Sequence, residues 1–184
     1  SRERAEIQAH ERQRLAQQAG ILHDNLARQI DAVNHALDSL VAYVQQDVVR
    51  HDRLVDRLQA FAEAMVGVRT LSVLDARGQV TASSRTELEG KNFSQRPYFI
   101  AARALKAPGA LVVSPPFRSA LGAWVIVLAR AVPGPEGALG GLVAATLDAE
   151  EFATLLESVR YAPDMLAGLT HGDGLRFAVA AGQP

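Results

Sequence analysis

The chain opens on a polar and apolar alternation that repeats with the period of a helix. From residue 3 to residue 49 there is no Pro and a single Gly, Gly20. Apolar residues recur at Leu15, Ala19, Leu22, Leu26, Ile30, Val33, Leu37, Leu40, Val44 and Val48, in steps of three and four. That spacing draws one apolar stripe along a helix. At about 1.5 Å per residue the helix is roughly 65 Å long, more than a compact domain requires. Its first third is strongly polar, so it is expected to run past the fold or fray. A second helical pattern covers 51–66, with Leu54, Leu58, Phe61, Ala62 and Met65 on one face.

The period then falls to that of strands. RTLSVLD (69–75) and QVTASS (79–84) flank Ala76-Arg77-Gly78, which reads as a hairpin turn. A polar loop leads into RPYFIAARAL, a short helix with Pro97 in its first turn. ALVVS (110–114), GAWVIVLARAV (122–132) and GGLVAATLD (140–148) follow as strands, the last two joined by the turn PGPEGA. AEEFATLLESV (149–159) predicts a helix with acidic residues at its N-terminus. MLAGLT and LRFAVAA bracket a further hairpin turn at His171-Gly172-Asp173-Gly174.

This order predicts an α+β fold: a five-stranded antiparallel sheet covered by helices, with a long N-terminal helix. Val125, Val127 and Ala129 alternate with Trp124, Ile126 and Leu128, so both faces of the longest strand are apolar. A sheet of that kind needs cover on both sides. The N-terminal helices are expected on one face and the 97–105 segment on the other.

Composition narrows the function classes. A chain of 184 residues with 48% hydrophobic and 21% charged content is a folded domain with an attached element. The expected division is 1–50 as a dimerisation or signalling helix, 51–160 as the main domain, and 161–184 as the start of a second lobe or a C-terminal hairpin. A formal charge of -1 leaves no electrostatic footprint for nucleic acid and no polybasic membrane patch. There is no Cys, which removes disulfides, thiolate metal sites and Cys nucleophiles. No apolar run of about 18 residues is present to span a bilayer. The charged start SRERAEIQAHERQR, without Met, reads as a piece of a longer protein, as a trimmed membrane protein would look.

A search for chemistry yields no catalytic set. His10, His23, His35, His51 and His171 stand far apart, with no metal-ligand spacing. No P-loop, nucleophile elbow or dinucleotide fingerprint occurs. GALGGL (137–142) leads into a strand and reads as a turn. Asp75, Asp148 and Asp173 sit at strand ends or in turns and form no acid/base pair. Neither a metal nor a cofactor is expected.

One element order remains distinctive: NFSQRPYF, then VVSPPF, then WVIVLARAV, then GLVAATLD. In this it resembles the Cache (PDC) sensor domains, extracytoplasmic PAS-like ligand-binding modules of bacterial receptors. The resemblance covers about 30–165. It implies a PAS-like sheet and a ligand pocket between that sheet and the Arg-x-Tyr segment. Arg96 would receive a ligand carboxylate, Tyr98 would line the pocket, and Asp148 would face an amino group. Phe99, Ser114, Phe117, Trp124 and Thr146 complete the candidate set. The residue chemistry agrees, since Arg offers a fixed donor fork and Tyr an apolar body with a polar tip.

Phe117 and Ser119 stand where amino-acid-binding members carry Tyr and Asp, so a plain small carboxylate is as good a candidate as an amino acid. Structural roles stay open: Arg96 pairing with Glu87 or Glu89, Tyr98 and Phe99 as core, Asp148 capping a helix at Ala149, Arg130 in an ion pair. The resemblance further implies the periplasmic part of an inner-membrane receptor, anchored in the membrane in its full-length form. Its output would be a histidine kinase, a diguanylate cyclase or a chemotaxis transducer. The expected partners are an organic or amino acid and a second copy bound through the N-terminal helix. Residues 165–181 look like the first hairpin of a second, membrane-proximal lobe. The rival readings are a structural dimerisation module without a ligand and, less well supported, a small hydrolase or isomerase.

Overall fold

The computed structural model describes residues 1–106, 109–153 and 177–180. Two helices come first, α1 (Arg2–Val44) and α2 (His51–Ala64). Strands β1 (Val68–Asp75) and β2 (Val80–Ser83) lead through a loop to α3 (Pro97–Arg103). Strands β3 (Leu111–Val113), β4 (Phe117–Arg118), β5 (Trp124–Pro133) and β6 (Leu139–Asp148) follow, and β7 (Phe177–Val179) closes the described chain. The sheet runs β2-β1-β6-β5-β3-β7, with β4 paired to β5. All pairs are antiparallel except β3 with β7. The five expected strands are present and β4 is an addition, while β7 falls within LRFAVAA, expected in a separate hairpin, and pairs instead with β3 of this sheet.

Each face of the sheet has its own cover. Leu26, Ile30, Val33, Leu37 and Leu40 of α1 and Leu54 and Leu58 of α2 pack on Leu71, Val73, Ile126, Leu128, Val143 and Leu147. Tyr98, Phe99 and Ala102 of α3 pack on Leu74, Val112, Val127, Ala129, Leu142 and Ala144 of the opposite face. Period-two alternation along β5 and β6 produces this division without further instruction. The helical stripe outlasts the sheet, however. Residues 2–21 of α1 are exposed, Leu15 among them, so the helix runs past the fold as expected.

The β1–β6 pair contains one irregularity that matters for the site. Val68 pairs with Leu147 but Thr70 pairs with Thr146, so two steps on β1 oppose one on β6. This is a β-bulge at Arg69. Strict alternation would put Arg69 on the same side as Leu71 and Val73, beneath α1 and α2. The bulge turns it to the α3 side.

The expected turn at His171–Gly174 and residues 154–159 of the expected 149–159 helix lie outside the described residues, and 149–152 form a turn rather than the start of that helix. Of the C-terminal segment, β7 pairs parallel with β3 at the sheet edge, Val112 opposite Ala178.

Candidate functional site

The segment ahead of α3 is held by backbone contacts. Phe93 N–H donates to Gly78 O at 2.8 Å, and Asn92 Nδ2 donates to Arg77 O at 3.0 Å. Gly78 has φ +84, and a Cβ there would lie 2.7 Å from Ser94 N, so only Gly lets the two segments approach this closely. Arg96 is extended (φ -69, ψ 138), the conformation that a following Pro imposes. Pro97 then starts α3 in its first turn. Arg96 is thereby fixed at the helix entry and Tyr98 within its first turn.

A cleft opens at this point between α3, the sheet and the β4–β5 hairpin. Its floor is a cross-strand row, Thr70 paired with Thr146 and Thr146 with Val127. Phe93, Leu88 and Phe117 form apolar walls, and Ser119, Ala120 and Leu121 of the hairpin close one side. The cavity measures ≈ 40 Å³. That is space for about three waters.

Aromatic rings orient the cation. The guanidinium of Arg96 stands 5.1 Å from the Phe117 ring centroid and 5.7 Å from that of Phe93. Phe117 in turn stacks on Tyr98, with centroids 6.1 Å apart. Such contacts restrain a guanidinium while leaving its N–H edge free to donate. Arg96 forms no ion pair among the described residues. Glu87 lies 4.0 Å from Arg85, and Glu89 lies 3.1 Å from His51, so neither carboxylate takes Arg96. Tyr98 is buried, which pushes its phenol well above the ordinary value, and the Arg96 charge draws it partly back. It stays a neutral hydroxyl at physiological pH.

The eight candidate residues separate into two groups. Arg96, Tyr98, Phe117 and Thr146 line the cleft together. Phe99 does not: it is fully buried among Val112, Val127 and Ala129, because one residue along a helix turns it about 100° from Tyr98. Ser114 is buried too, its Oγ accepting Val127 N–H at 2.7 Å, and it serves the sheet. Trp124 shares the alternation of Ile126 and Leu128, which face α1, and is 53% exposed away from the cleft. Asp148 shares the face of Thr146, but its carboxylate is engaged. Oδ2 meets Arg69 Nη1 at 3.2 Å, and Oδ1 accepts Glu150 N–H at 3.0 Å, within a turn over 149–152 rather than at the helix start expected at Ala149.

Arg69 and Arg85 also line the cleft and were absent from the sequence reading. Only the bulge brings Arg69 there, and no periodicity announces it. Arg130, by contrast, has the structural role expected of it: its Nη1 donates to Asn34 Oδ1 at 2.8 Å and its Nη2 lies 3.3 Å from Asp38 Oδ1.

No family model matches the chain, and no curated protein matches it by sequence. Solved structures do match. The extracellular domain of rpHK1S-Z16, assigned as a histidine kinase, is 25% identical with a TM-score of 0.72, over 82% of this chain and 62% of that one. The ligand-binding domain of the Pseudomonas aeruginosa PAO1 amino acid chemoreceptor PctC, in complex with GABA, is 19% identical with a TM-score of 0.60, over 86% and 78%. That of the Pseudomonas fluorescens chemoreceptor CtaA, in complex with L-isoleucine, is 16% identical with a TM-score of 0.61, over 85% and 63%. The chain thus spans less than two thirds of the length of the first and third of these. Among the described residues, no helix is long and apolar enough to cross a membrane. The fold, a long N-terminal helix laid along a mostly antiparallel sheet, is that of the PDC (Cache) sensor domains found outside the membrane in histidine kinases and chemoreceptors.

Proposed function

We propose that the chain is the extracytoplasmic ligand-sensing part of a membrane-anchored signalling receptor, and that its cleft binds a small carboxylate. The observation that carries this reading is Arg96, held between the Phe93 and Phe117 rings, lining a cleft with Tyr98 and Thr146, and paired to no described carboxylate. A ligand carboxylate would accept the guanidinium fork. The neutral Tyr98 hydroxyl and Thr146 would supply further donors. The GABA and L-isoleucine held by the two chemoreceptor domains both carry a carboxylate, which supports this chemistry. No reaction is needed to explain any residue of the cleft.

The route to an output follows from the layers. β5 and β6 floor the cleft with one face and carry α1 on the other, with Arg130 tying β5 to Asn34 and Asp38 of α1. A shift of these strands on ligand binding reaches α1 directly. The exposed N-terminal part of α1, where Leu15 continues the apolar stripe beyond the sheet, would pair with the same helix of a second copy. The output is a histidine kinase, a diguanylate cyclase or a chemotaxis transducer.

Calorimetry with a panel of small carboxylates tests the cleft. Arg96→Ala removes a charge-assisted contact, so affinity should fall about tenfold or more. Its melting temperature should barely change, since no described carboxylate depends on it. Absence of binding by any carboxylate to the wild type would leave the scaffold reading in its place.

A further inference from the structure

The segment after β2 passes around the edge of the sheet, since β2 is the edge strand. Its consecutive residues Leu88 and Glu89 engage opposite faces. Leu88, 6% exposed, joins the core on the α3 side and lines the cleft together with Arg85. Glu89 turns the other way, its Oε1 3.1 Å from Nε2 of His51, the first residue of α2. Gln59 of α2 adds a contact to the start of the same segment, Nε2 donating to Ser84 O at 3.4 Å. We infer that His51 and Glu89 are positioning residues of the cleft: their contact fixes the segment that presents Leu88 and Arg85, and so sets the affinity of the site. This rests on the carboxylate-binding reading above.

The backbone anchors this segment only at its ends. Ser84 N–H donates to Leu71 O and Gly90 N–H to Val80 O, both at 2.9 Å. Between them the backbone bonds are internal, Leu88 N–H to Arg85 O and Glu89 N–H to Thr86 O. The middle is therefore joined to other elements by the packing of Leu88 on one side and the Glu89 contact on the other. That contact has two strengths. Histidine changes charge between about pH 5 and 8, so protonation of His51 turns a neutral hydrogen bond into an ion pair. Among the described residues, Glu89 faces it from the loop, and Asp75 of β1 lines a cavity with it at the α1–α2 corner. Its neighbours Arg50 and Asp52 pair with each other at 2.9 Å. The contact is strongest at low pH and weakens as pH rises through the histidine window, and carboxylate affinity should follow it. By linkage, a ligand that holds Leu88 and Arg85 in place in turn favours the tie to α2.

Butyrate and GABA, titrated calorimetrically into the chain at pH 6 and pH 8, test the inference. The wild type should bind about threefold more tightly at pH 6, within what one exposed ion pair supplies. His51→Gln keeps a neutral donor for Glu89 and should show the same affinity at both values, close to that of the wild type at pH 8. Glu89→Gln should flatten the profile equally, and the double variant should bind no more weakly than either single one. His51→Lys, charged throughout, should restore tight binding at pH 8. Melting curves at both pH values check that the variants fold. A pH response that survives in Glu89→Gln overturns the inference, because His51 would then act on the ligand as a distant charge. Unchanged affinity in His51→Gln with a lowered melting temperature overturns it too, leaving a tie that serves only the fold. Either result, with binding still lost in Arg96→Ala, leaves the carboxylate reading intact. No binding of either acid to the wild type removes that reading and this inference together.

Discussion

Arg69 Nη1 lies 3.2 Å from Asp148 Oδ2, joining the bulged start of β1 to the end of β6 at the edge of the cleft. The pair is half in water, with side chains 40% and 33% exposed, so its worth to the fold is small. Exposed ion pairs contribute up to about 1 kcal/mol. In Asp148→Asn the amide oxygen can still accept Glu150 N–H. The melting temperature should therefore fall by no more than about 4 °C. A scanning calorimeter would show a larger drop if the pair were a main tie of β6.

Ser114 gives the opposite expectation. Its Oγ accepts Val127 N–H at 2.7 Å, and the Ser114 side chain is 2% exposed. Ser114→Ala strands that amide without solvent, which costs roughly 1–3 kcal/mol. Thermal melting should show a larger loss for Ser114→Ala than for Asp148→Asn. Equal losses would mean that water reaches this end of the sheet.

Gly78 and Gly90 test the support beneath the Arg96 segment. Both have positive φ, +84 and +85, so Ala meets similar backbone strain at either position. A Cβ at Gly78 would meet Ser94 N at 2.7 Å, whereas none lies within 4 Å at Gly90. Gly78→Ala should then be the more destabilising by about 1–3 kcal/mol, the cost of overpacking. It should also weaken carboxylate binding by displacing Phe93 and Arg96, while Gly90→Ala leaves affinity unchanged. Chemical denaturation and calorimetry on the two variants read both effects.

What the sequence made legible follows periodicity. Helical spacing from Leu26 to Leu40 and the alternation of Val125 to Ala129 are direct images of a face pressed on a core, so elements and layers could be read. Arg96 and Tyr98 were legible because Pro97 fixes the backbone between them. Arg69 was not, because a bulge is one extra residue in a ladder and leaves no mark on the pattern of hydrophobicity. Trp124 and Phe99 show the converse limit. Residue type marks both as ligand contacts, yet alternation and helical rotation send one to the α1 face and the other into the core. Asp148 ends β6 as the strand pattern implies, but its engagement by Arg69 depends on the bulge.

Tyr98 gives a test in which pH separates fold from binding. Burial raises its phenol above the ordinary value of 10.0, against a smaller opposing pull from Arg96. Above pH 10 the unfolded chain releases this proton while the folded chain keeps it. The stabilisation is thus fully present below pH 10 and is lost as pH rises toward the folded value. Between pH 8 and pH 10.5 the wild type should lose about 0.8 kcal/mol more than Tyr98→Phe, whose ring fills the same space but cannot titrate. Urea unfolding at the two pH values measures the difference. Binding should behave otherwise, because the hydroxyl remains a neutral donor throughout the range below pH 10. Carboxylate affinity at pH 7 should fall about tenfold or more in Tyr98→Phe, the effect of one lost hydrogen bond to a charged group. An unchanged affinity with the altered pH slope would make Tyr98 a buried core residue whose hydroxyl never meets the ligand. Altered affinity with no change in slope would instead mean that the phenol is solvated, and that the cleft is wetter than its walls of Phe93, Leu88 and Phe117 imply.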